Sequence, residues 1–143
     1  MQHQNKKADV VSEGKISETS REAISEKIED LKPLLAPLTT TLHYSKQPEL
    51  EAKYGPQARA RCQEEVEQYL DNLAAAVLLD KPEVFSSFID WSNKVHLSRN
   101  VPTAILRDNL ECMAEALRQY LPEDMQKVVI AHYLSAGLDV VKS

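Results

Sequence analysis

The sequence predicts an all-α domain, and three observations carry that prediction. Apolar residues recur three or four positions apart along most of the chain. No stretch keeps the two-residue alternation of a half-buried strand. Only 3 glycines are present, too few for a turn-rich all-β architecture. At 143 residues, 43% of them hydrophobic, the chain can bury one real core but not two.

Residues 1–16 are polar and without sustained periodicity, which predicts a flexible N-terminal tail ahead of a single helical domain over 17–143. The first helix is expected to start near Thr19, because Thr19-Ser20-Arg21-Glu22 has capping-box spacing. Ile24, Ile28, Leu31, Leu35, Leu38 and Leu42 then form one apolar stripe. Pro33 and Pro37 fall inside it, and each removes a backbone donor and crowds the preceding turn. A kink or a break into two pieces is therefore expected there. A short helical turn over Pro48 to about Lys53 precedes the Tyr54-Gly55-Pro56 punctuation.

From Gln57 to Leu79 the pattern is clearest. Cys62, Val66, Tyr69, Leu70, Leu73 and Val77 share one face, and Gln63, Glu64, Glu67 and Asp71 lie on the other. Asp80-Lys81-Pro82-Glu83 reads as a cap, a first-turn proline and an acid at the positive end of the next helix. That helix carries Phe85, Phe88, Ile89, Trp91 and Val95 and should end near Leu97. Asn100-Val101-Pro102-Thr103 restarts the chain into a stripe of Ile105, Leu106, Leu110, Met113, Leu117 and Leu121. Pro122-Glu123-Asp124 opens the last helix, with Met125, Val128, Val129, His132, Tyr133, Ala136 and Val140 expected inward. About six helices result.

The formal net charge is −5, and no lysine- or arginine-rich stripe appears, which argues against nucleic acid and anionic membrane as partners. No apolar run approaches the roughly 18 residues that span a bilayer, and the N-terminus lacks the apolar core of a signal peptide. A cytoplasmic protein is expected, with Cys62 and Cys112 as free thiols. Four histidines occur, at 3, 43, 96 and 132, none in HExxH or another metal-binding pair. His132, on an apolar stripe, reads as a core histidine. His96, at the end of the aromatic helix, lies close to where globin-like folds place an axial haem ligand, and its charge would also suit the helix dipole. Glu64 and Glu65 point about 100° apart on a helix and form no acid–base pair. With no nucleophile motif either, no enzyme is expected. Phe85, Phe88 and Trp91 could line a pocket for a flat ligand, although such spacing more often fills a core.

Tyr54 to Leu70, YGPQARARCQEEVEQYL, resembles the stretch of phycobiliproteins in which a cysteine, then Arg and Asp two and three positions on, precede a Tyr-Leu pair. The pattern is also similar to the helical domains placed before cobalamin-binding modules and to small bilin-biosynthesis-associated globins. It continues through Pro82-Glu83-Val84-Phe85, Trp91, Arg99-Asn100-Val101-Pro102 and Leu121-Pro122, covering about residues 48–142.

The resemblance implies a globin-like bundle whose ligand class is the tetrapyrrole. Cys62 matches the chromophore-bearing cysteine, and Glu65 stands where the family has an Asp that contacts pyrrole nitrogens. Glu64 replaces the Arg, and it cannot pair with a propionate. Cys62, Glu65, Tyr69, Phe88, Trp91 and His96 are the expected cofactor-binding residues. The expected function is non-enzymatic binding of a linear bilin, non-covalently or through Cys62, in a sensing, carrier or bilin-metabolism role. A cofactor-free signalling or dimerisation module is the alternative, and a haem globin using His96 is a third. A homodimer through the N-terminal helices is expected from the same resemblance.

Overall fold

Serine 17 starts the first helix, two residues ahead of the expected cap. Its Oγ accepts the Ser20 N–H at 3.2 Å, which satisfies one of the free donors of the first turn. The computed structural model describes residues 17–142, so the tail expected over 1–16 lies outside the described residues. Helix α1 then runs Glu18–Lys46 without a break, carrying Pro33 and Pro37 inside it. Packing decides this. Ile24 and Ile28 before the prolines, Leu35 and Ala36 between them, and Thr39 and Tyr44 beyond them are all buried, and that shared face outweighs the lost backbone bonds.

Helix α2 (Glu49–Tyr54) is a short connector closed by Gly55 at φ +89°, a value that glycine tolerates without strain. Helix α3 (Gln57–Leu79) follows the predicted bounds, and Val66, Tyr69, Leu70, Leu73 and Val77 are its buried face. Asp80 closes α3 in the left-handed region (φ +54°) and accepts a hydrogen bond from the Tyr133 hydroxyl at 2.7 Å. It is therefore the stop of α3 and not the cap of the next helix. Helix α4 (Pro82–Ser98) starts with its proline in the first turn, and α5 spans Thr103–Tyr120.

The last helical segment departs from expectation. It runs as α6 (Glu123–Val128), a π-helical turn (Val129–Leu134) and α7 (Ser135–Val140). The Ser135 N–H bonds the Ile130 carbonyl five residues back, so the turn holds one extra residue. The buried set is accordingly Val128, Val129, Tyr133, Leu134, Gly137 and Val141. Ala136 and Val140 are displaced to half-buried positions, and His132 is exposed. The expectation of a core histidine at 132 is corrected by that one-residue slip.

Helix α1 packs along α3 and α5, α3 packs against α4, and α4 closes on α7 and the π turn. The α4–α7 approach is closest at Gly137, which lies directly against the Phe85 ring. Counting the last segment as one, six helices form the fold, and no strand occurs among the described residues. No helix among them is long and apolar enough to cross a membrane.

Candidate functional site

A cavity of about 210 Å³ opens where the C-terminal end of α1, the connector α2, the first half of α3 and the α4–α5 junction converge. Its apolar wall comes from Leu50, Ala58, Val101, Ile105 and Leu106. The polar groups arrive on five different helices, which is why no local motif announces the site.

His43 is the most unusual of them. It is 2% exposed and lies on the buried face that α1 turns to its neighbours. Neither ring nitrogen has a hydrogen-bonded partner among the described residues. Burial pushes its pKa below the ordinary 6.5, opposed by the Asp108 charge and by the nearby amides of Gln47 and Asn109. The imidazole is thus neutral at physiological pH, with one N–H to give and one nitrogen to accept. The Tyr54 hydroxyl, also in the lining, is buried and unpartnered as well. A buried polar group without a partner typically loses about 1–3 kcal/mol, and two in one cavity mark a place where the fold leaves hydrogen-bonding capacity unused.

Cys62 faces the same space. Its thiol lies 3.8 Å from Asn109 Oδ1, and burial raises its pKa to about 11. Nearly all of it is therefore the unreactive thiol. Glu65 and His96 form the next part of the lining. His96 Nδ1 lies 2.7 Å from the Ser92 carbonyl, so it carries the proton and donates. Nε2 then meets Glu65 Oε1 at 3.3 Å. The Glu65 contact is the main reason the His96 pKa rises above 6.5, against an opposing desolvation effect. Both imidazole nitrogens of His96 are engaged, so an axial bond to haem iron would have to displace Glu65.

Arg61 and Arg99 also line the cavity, and both are exposed. No ion pair is made by either guanidinium among the described residues. Two unneutralised arginines at the mouth of a small cavity suit a ligand with carboxylate or phosphate groups.

Of the six expected cofactor-binding residues, the structure brings Cys62, Glu65 and His96 together. The other three lie behind them. Tyr69 is buried, and its hydroxyl is 2.9 Å from Ser92 Oγ. Its ring meets Phe88 edge-on at 6.1 Å, and Phe88 stacks at a tilt on Trp91 at 5.5 Å. Trp91 is 57% exposed and does not reach the cavity. This aromatic column supports the site from outside, because Ser92 joins Tyr69 to His96 (Ser92 Oγ to His96 Nδ1, 3.4 Å).

His43, Tyr54, Arg61, Arg99 and Asn109 were not expected. One signal for His43 was present: Thr39, Thr40 and His43 are polar residues at core spacing behind Leu35 and Ala36, and all three are buried. The arginines had no such signal, since exposure and charge at 61 and 99 read as ordinary surface.

No family model matches this chain, and no curated protein matches it.

Proposed function

We propose that this protein is a non-enzymatic, globin-like binding module whose ligand is a tetrapyrrole, in the first place a linear bilin. The observation that supports the reading most is the meeting of Cys62, Glu65 and His96 in one cavity beside Arg61 and Arg99. Those arginines offer to propionates the charge that Glu64 denies them. At about 210 Å³ the cavity is smaller than the roughly 300–1,000 Å³ of sites that enclose a drug-sized ligand. A bilin would insert one end and leave the rest along the surface. A Cys62 thiol titrating at about 11 favours non-covalent retention. Haem ranks lower, because the ring nitrogens of His96 already have partners.

Titration with biliverdin and with haem, read by visible absorption, tests the proposal. A bilin band that shifts and saturates at micromolar ligand is expected. No spectral change with either ligand would sink the reading.

A second reading, a cofactor-free homodimerisation module, is favoured by Leu34 on α1 and Trp91 on α4, which are 42% and 57% exposed. It requires a colourless protein whose thermal stability ignores tetrapyrroles and whose sedimentation is that of a dimer.

A further inference from the structure

We infer that the cavity takes its ligand head first, with a neutral lactam on His43 and Tyr54 and a carboxylate between Arg61 and Arg99. The inference rests on the ligand-binding reading above and adds the chemistry and direction of binding.

The unpartnered groups carry the argument. His43 is 2% exposed, and both its ring nitrogens lack a partner. Oε1 of Gln47 is also buried and unpartnered, and a small rotation could join it to one imidazole nitrogen. The Asn109 amide also stands beside the ring, yet no described residue completes a hydrogen bond to either nitrogen. The imidazole and the Tyr54 hydroxyl therefore keep hydrogen-bonding capacity for whatever enters. A neutral imidazole and a phenol each donate and accept, so they complement a group with an N–H beside a C=O. An anion is a poor guest at that depth, where charge is expensive to desolvate. Charge belongs at the other end, where Arg61 and Arg99 are exposed. The space equals about seven water volumes at ~30 Å³ each. That admits one five-membered ring with its substituents, flanked by Leu50, Ile105 and Leu106.

The probes are biliverdin, biliverdin dimethyl ester and pyroglutamate, a single lactam ring bearing a carboxylate. Millimolar pyroglutamate is expected to move the His43 ring resonances of ¹⁵N-labelled protein. His43→Leu should weaken biliverdin about tenfold, the loss of roughly one hydrogen bond's 1.4 kcal/mol. His43→Gln, which keeps a donor and an acceptor, should stay within a few-fold of the native chain. An Arg61→Gln/Arg99→Gln double variant should weaken biliverdin about tenfold and leave the dimethyl ester unchanged. A urea melt of each variant shows that it folds.

If biliverdin binds the His43→Leu protein as tightly as the native chain, the head-first inference is overturned while the bilin reading stands. If pyroglutamate moves His43 but biliverdin produces no spectral change, the inference stands and the bilin reading falls. If neither probe has any effect, both are overturned.

Discussion

Nε2 of His96 stands 3.3 Å from Oε1 of Glu65, tying the end of α4 to α3 beside the cavity. The folded pKa of His96 is raised above the ordinary 6.5. The stabilisation from this pair is therefore fully present below about pH 6.5. It is lost as pH rises through the folded value. The contact is partly exposed, so its worth is modest. Glu65→Gln should lower unfolding free energy by about 0.5–1 kcal/mol in slightly acid buffer and by almost nothing well above neutrality. Urea melts at the two conditions give the difference, and an equal loss at both would show that the pair does not depend on the imidazolium.

His43 has the opposite sign. Burial lowers its folded pKa below 6.5, so the unfolded chain binds that proton first and stability falls as pH drops below about 6.5. Replacing it with leucine removes both the proton and the unpartnered polar group. The ligand-free His43→Leu protein should be more stable than the native chain by about 1 kcal/mol, and the gain should widen in acid. A variant that melts earlier at every pH would contradict the idea that His43 is held at a cost to the fold.

Desolvation of the half-buried Cys62 thiol pushes its pKa up to about 11. At pH 8 its thiolate is roughly one part in a thousand. Iodoacetamide should modify the native protein at Cys62 far more slowly than the urea-unfolded chain. The rate should climb about tenfold per pH unit until the thiol titrates. Bound biliverdin should be released by denaturation, leaving no coloured band on a denaturing gel. Rapid native alkylation near neutral pH would show an accessible thiolate and reopen covalent attachment.

Gly137 lies against α4 so closely that a Cβ would stand 2.8 Å from Phe85 Cδ2 and 3.1 Å from Ile89 Cγ1. Phe85 is fully buried and has no room to yield. Gly137→Ala should lose about 1–3 kcal/mol through overpacking, despite alanine's better helix propensity. A thermal melt that rises would mean that the two helices can part without penalty.

The π turn provides a register test. Val128 and Val129 on one side and Tyr133, Leu134, Gly137 and Val141 on the other are buried, and the extra residue lies between them in the exposed stretch Ala131-His132. Deleting Ala131 would restore four-residue spacing and convert the turn to α-helix. Loss of a residue from a helix normally rotates everything beyond it off the core. Here the deletion should be tolerated within about 1 kcal/mol. A cooperative unfolding transition near the native one checks this, and loss of folding would show that the bulge itself is required.

The helix boundaries were legible because they rest on local physics. Pro82 and Pro102 punctuate the chain, and the apolar spacing of Val66 to Val77 survives intact in α3. The same periodicity put Cys62 on the inner face. The π turn was not legible, since an extra residue leaves the sequence pattern ambiguous between two registers that only packing against α4 distinguishes. Nor was the continuity of α1 through Pro33 and Pro37, because the compensation for two missing donors comes from apolar surface on α3 and α5.

By itself, then, the sequence determined an all-helical chain and which face of most helices turns inward, because both follow from residues a few positions apart. Only the tertiary structure decided that His43, Tyr54, Arg61 and Arg99 share a cavity with Cys62, Glu65 and His96. Those residues come from elements far apart in the chain, and their convergence depends on how α1, α3, α4 and α5 pack. The pairing of His96 with Glu65 was settled in the same way. Their charges are visible in the sequence, but the 3.3 Å between them exists only once α4 has closed on α3.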